Sequence, residues 1–127
     1  MEKFSIKVDQ IKNRIYVRLE GFHTLEEILK FKEEYKKAVA KCRPGFTVLT
    51  HAVNYKPGTP EVQKVHAECI KIDTEAGVSK VARVVGDTPL GGMQIDRLAR
   101  TVSKYPYPAK NFKTKEEAEA YLDGKID

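Results

Sequence analysis

The feature that most constrains the fold is a change of hydrophobic period near residue 21. Before it, apolar and polar residues alternate. Phe4, Ile6 and Val8 are separated by Ser5 and Lys7, and Ile15, Val17 and Leu19 by Tyr16 and Arg18. A period of two belongs to half-buried strands. The polar stretch between the two runs, centred on Lys12 and Asn13, suits a hairpin. After Gly21 the period becomes helical. Thr24 and Glu27 have the spacing of a capping box, in which each side chain satisfies an orphan N–H of the first turn. Leu25, Ile28, Leu29, Tyr35, Ala38, Val39 and Cys42 then form an apolar stripe, and Pro44-Gly45 ends it.

The two periods keep alternating. Phe46 to Thr50 reads as a buried strand. Thr59 as N-cap and Pro60 at the first helical position open a second helix. Val62, Val65, Cys69, Ile72 and Ala76 share one face of it, and Gly77 is its C-cap. The β-branched run Val78 to Val85 predicts a strand covered on both faces. A Gly/Pro loop over 86–92 leads to a third helix, marked by Ile95, Leu98, Ala99 and Val102. Phe112 sits in a last short strand. Thr114 and Glu117 form another capping box, before a helix with Ala118, Tyr121 and Leu122 on its apolar face. The order β-β-α-β-α-β-α-β-α predicts an α/β fold, a single-domain mixed β-sheet with crossover helices over residues 1–127.

Composition narrows the class. A 127-residue chain that is 41% hydrophobic and 32% charged, with eight Gly and six Pro, is neither collagen-like nor low-complexity. No apolar run approaches the roughly 18 residues that span a bilayer, and MEKFSIKVDQ has no secretory character. Cys42 and Cys69 are too few for a disulfide scaffold, so they read as reduced thiols in a cytoplasmic protein.

The formal charge of +5 is concentrated in one region. Residues 78–113 hold Lys80, Arg83, Arg97, Arg100, Lys104, Lys110 and Lys113 against Asp87 and Asp96, which accounts for the whole excess. Such a field draws an acidic protein surface or a phosphate. Nucleic acid is the weaker expectation, because aromatics are sparse among these cations and no nucleic-acid motif is present.

Several positions carry chemistry. Thr59 reads as a helix cap and as an exposed hydroxyl able to accept phosphate, which a helix N-terminus tolerates. His66 and Cys69 share a helix face, but a zinc site needs about four ligands and no second close pair exists, so packing is expected and no metal. His51 follows a strand end without an Asp or Ser partner for a triad. The loop with Thr88, Gly91 and Gly92 reads either as a plain connection or as a turn presenting N–H groups to an anion, with Arg97 and Arg100 nearby. Tyr105-Pro106-Tyr107-Pro108 reads equally as a rigid connection or as part of a homodimer contact.

The element order resembles the STAS domain, the fold of bacterial anti-sigma factor antagonists (SpoIIAA-like proteins) and of sulfate-transporter cytoplasmic tails. Small stand-alone SpoIIAA-like proteins of bacteria are similar in two stretches, RIYVRLEGFHTLEE (Arg14–Glu27) and EEAEAYLDG (Glu116–Gly124). In partner-switching members a Ser or Thr at the start of the second helix is phosphorylated, within an acid-Ser-Ser/Thr-Gly stretch. Here that place holds Asn54-Tyr55-Lys56-Pro57-Gly58-Thr59-Pro60, which lacks the acid and the Ser pair and offers Thr59 alone.

The resemblance implies a non-enzymatic protein-interaction module without cofactor. Its partner surface would be the second helix and the loop before it, with Asn54, Tyr55 and Thr59. That reading expects an exposed apolar patch on the second helix. The alternative is a carrier or sensor of a small apolar or anionic ligand, with a pocket near Thr59, Thr88 and Gly91.

Overall fold

The computed structural model describes residues 3–56, 58–85 and 109–126. Its elements run β1 (Phe4–Asp9), β2 (Arg14–Leu19), α1 (Leu25–Ala40), β3 (Thr47–His51), α2 (Pro60–Ala76), β4 (Lys80–Val84), β5 (Ala109–Phe112) and α3 (Lys115–Leu122). They form one five-stranded mixed sheet in the order β1-β2-β3-β4-β5. β1 pairs antiparallel with β2, and the other pairs are parallel. The helix expected around Ile95 to Val102 lies outside the described residues.

Local chemistry sets the element ends. In the hairpin, Asp9 Oδ1 accepts from the N–H groups of Ile11 and Lys12, both at 3.0 Å, and Asn13 takes a positive φ of 56°. Both halves of the Thr24–Glu27 capping box form. Thr114 accepts from the Glu117 N–H, but the Glu117 carboxylate meets the Thr114 hydroxyl instead of its backbone, so only half of the second box closes. Gly77 caps α2 at φ 87°, a conformation open to glycine and costly for other residues.

The sheet is covered unequally. On one face Ile15, Val17, Leu19, Val48 and Val81 meet Ile28, Phe31, Tyr35 and Ala38 of α1 and Val62, Val65 and Cys69 of α2. On the other, Leu49, Ala82, Val84 and Phe112 meet Ala118 and Leu122 of α3. α3 is also tied down by charge. The buried guanidinium of Arg14 donates to Thr47 Oγ1 at 2.9 Å, to Glu119 at 2.5 Å and to Asp123 at 2.9 Å.

The buried arc of α1 is rotated from the stripe read in the sequence. Phe31 lies in the core, edge-on to Phe4 at 5.3 Å, whereas Leu25 and Leu29 are each 44% exposed. The inner side of α1 must face the sheet and α2 together, and positions 28, 31, 35 and 38 satisfy both. Arg83 is a second departure. It is 1% exposed inside β4, so it adds nothing to a solvated basic face.

Candidate functional site

The ends of β2 and β3 are joined by their backbones. Gly21 donates to the carbonyl of Asn54 at 2.9 Å and accepts from the N–H of Lys56 at 3.1 Å. Gly21 holds φ 65°, where a side chain is strained. This pairing sets Asn54 to Lys56 against the segment that leads into α1.

Within the loop, neighbouring side chains go different ways. Asn54 is exposed. Tyr55 is 6% exposed, so its ring is a core element and not the open contact that the sequence suggested. Its hydroxyl lies 2.7 Å from His66 Nε2. Burial pushes the Tyr55 phenol up to about 12 and the His66 imidazole down to about 4, helped by repulsion from His23. Tyr55 is therefore the donor and neutral His66 the acceptor. Burial also lowers His23 below its ordinary value, against the pull of the Glu20 and Lys3 carbonyls. Its ring stands edge-on to Tyr55 at 5.7 Å, and its Nε2 lies 3.2 Å from the Glu20 carbonyl.

Deeper under α2, the Tyr35 hydroxyl donates to Asp73, and Lys32 of α1 pairs with Glu68 of α2. Tyr35, His66 and Asp73, together with Thr50, line a cavity of about 50 Å³ between the helices and the sheet, which has room for ordered water only. Cys69 borders it with its thiol pushed up to about 12 by burial, so it is an inert packing group.

Gly58 and Thr59 end the loop. A Cβ on Gly58 would stand 2.6 Å from Val62 Cγ1, so the chain can pass α2 this closely only with glycine there. Thr59 is exposed and caps α2, its hydroxyl accepting from the Val62 N–H at 3.4 Å.

Beside this loop the surface is apolar. Phe22 is 57% exposed, and Leu25 and Leu29, one helical turn apart, are each 44% exposed. Lys56 reaches over the Phe22 ring at 5.6 Å. No large apolar residue of α2 is exposed, which corrects the expectation of a patch there. The apolar stripe of α2 is spent on α1 and the sheet, and the patch stands instead at the start of α1.

Thr88, Gly91, Gly92, Arg97 and Arg100 lie outside the described residues, as does the stretch 105–108. Of the remaining basic residues, Lys80 lies over the Tyr121 ring at 5.0 Å and Lys110 over the same ring at 5.6 Å. No described helix is long and apolar enough to cross a membrane.

Comparison with solved structures establishes the fold. The chain superposes on a DUF3478-family protein with a SpoIIAA-like fold from Shewanella loihica PV-4 with a TM-score of 0.70 at 15% identity, covering 96% of this chain and 95% of that one. It superposes on the anti-sigma factor antagonist SpoIIAA in its unphosphorylated form with a TM-score of 0.64 at 13% identity, covering 98% and 99%. No family sequence model matches the chain, and no curated protein matches it in sequence. The protein has a SpoIIAA-like fold.

Proposed function

We propose that this chain is a non-enzymatic, cytoplasmic protein-interaction module, which takes its partner on the surface formed by Phe22, Leu25, Leu29 and the loop carrying Asn54, Lys56 and Thr59. The observation that carries this reading is the apolar patch. Three large side chains stay in water at the start of α1 while the rest of that helix is well packed. Exposed apolar residues grouped in this way, rimmed by polar ones, mark interaction sites. Lys56 beside the patch favours a partner with an apolar centre and an acidic edge.

The similarity to SpoIIAA, an anti-sigma factor antagonist solved in its unphosphorylated form, supports a regulatory use of such a surface. In this chain the hydroxyl that would carry a phosphate is Thr59. It is exposed, it stands at a helix N-terminus, and it belongs to the loop that borders the patch. The buried groups support the non-enzymatic reading. Tyr55, His66, Tyr35 and Asp73 are engaged with one another inside the core and do not face solvent.

The test is co-purification from the native host with a doubly substituted variant, Leu25→Ser with Leu29→Ser. Both residues are half exposed, so the variant keeps the thermal midpoint of the wild type within a few degrees. It loses the stoichiometric partner that the wild type retains. Retention of the same partner by a folded double variant overturns this assignment of the surface.

A further inference from the structure

We infer that the sheet face turned away from α1 and α2 carries a binding groove for a small organic phosphomonoester. The strand register builds it. Ser5, Arg18 and His51 lie in one cross-strand row, and Lys7, Tyr16 and Leu49 lie in the next. All six line a single open groove of about 410 Å³. α3 covers the part of this face over β3, β4 and β5 and supplies Lys115 to the groove's edge. It reaches β2 at Arg14, which holds Glu119 and Asp123, and leaves the end of the face around Ser5, Lys7 and Arg18 open as the groove.

Charge identifies the occupant. Lys7, Arg18 and Lys115 bring three permanent cations to one small volume, His51 adds ring N–H capacity, and none of the lining residues is a carboxylate. Like charges on neighbouring sheet positions repel, and an anion seated between them relieves that repulsion. Of the acids nearby, Glu119 is held by Arg14 and hydrogen-bonded to Tyr16, and Glu20 is held by Arg18 at 2.8 Å. The Arg18 contact uses a single guanidinium nitrogen, and the planar fork has further N–H groups for an oxyanion. Among the described residues neither Lys7 nor Lys115 forms an ion pair.

A dianionic phosphate answers this donor set better than a single carboxylate, because it offers three oxygens to donors arriving from three strands and a helix. The ring of Tyr16 and the side chain of Leu49 form the apolar floor against which an organic body can lie. The volume fits a small metabolite. The groove is on the opposite side of the sheet from the α1–α2 cavity, so the inference does not depend on the partner surface.

The experiment is an amide NMR titration of the full chain with phenyl phosphate, with phenol as the uncharged control. The expected result is a saturable set of shifts at Ser5, Lys7, Tyr16, Arg18 and His51 that phenol does not produce. In the doubly substituted variant Lys7→Gln with Lys115→Gln the affinity falls at least about tenfold, the loss expected for two charge-assisted contacts. Both lysines are exposed, so the variant's fold is unaffected, and its unshifted spectrum elsewhere verifies this. The proposal is overturned if millimolar phenyl phosphate leaves these amides unmoved, if phenol moves them equally, or if the folded double variant binds like the wild type. Binding to phosphatidic acid vesicles without any response to phenyl phosphate also overturns it.

Discussion

Replacing His66 with glutamine removes the most strongly perturbed base in the core while keeping an acceptor for the Tyr55 hydroxyl. In the folded protein His66 is 6% exposed and its pKa is lowered from 6.5 to about 4 by burial and by His23. The unfolded chain therefore binds more protons at this position between those two values. A depressed base stabilises the fold fully above about pH 6.5, and that contribution is lost as pH falls toward 4. At about 1.4 kcal/mol for each pH unit, the two-state expression gives a loss of about 2 kcal/mol between pH 7 and pH 5. Urea unfolding followed by far-ultraviolet circular dichroism measures it at both pH values, for the wild type and for His66→Gln. The carboxylates titrate alike in the two proteins and cancel in the comparison. The wild type should lose about 2 kcal/mol more than the variant over this interval. Equal losses would refute the assignment of His66 as a buried neutral acceptor.

Two further outcomes follow from the geometry. Arg14→Ala removes the cation that holds Glu119 and Asp123 to β2, and Asp123, kept below the usual carboxylate range chiefly by its hydrogen bond to Arg14, returns toward an ordinary titration. Because the two acids are partly exposed, the expected loss is about 2–3 kcal/mol in urea unfolding, and a loss below about 1 kcal/mol would contradict the clamp. Thr59→Ala costs about 1 kcal/mol through the lost cap and leaves partner capture intact, whereas Thr59→Glu places a charge against the apolar patch and weakens capture severalfold. Equal capture by the two variants in a pull-down would remove Thr59 from the surface.

Much of this fold is legible in the sequence because its elements are set locally. The alternation of Phe4, Ile6 and Val8 and of Ile15, Val17 and Leu19 marks β1 and β2, and Thr24, Glu27, Thr59, Pro60 and Gly77 fix helix ends by chemistry within one turn. What is not legible depends on which face each element meets. Leu25 and Leu29 fit a helical stripe, yet the joint demands of the sheet and α2 turn them outward. Arg14 is on the polar phase of its strand, and only the arrival of α3, more than a hundred residues later, buries it. The His23–Tyr55–His66 cluster joins three segments that no spacing rule connects. Its one available signal was the position of His66, one residue after Val65 and three before Cys69, on the apolar side of α2. The basic excess in 78–113 likewise reads as one surface in the sequence, whereas Arg83 is buried inside the sheet.

The central claim is that the start of α1 is a partner-binding surface. Its most direct measurement is photo-crosslinking in the living host, with a benzophenone amino acid at position 25 and, as a control, at position 71 on the exposed side of α2. The account predicts one dominant crosslinked protein at position 25, a species other than a second copy of this chain, and no such product at position 71. Absence of any product at position 25, or the same products at both positions, would contradict it.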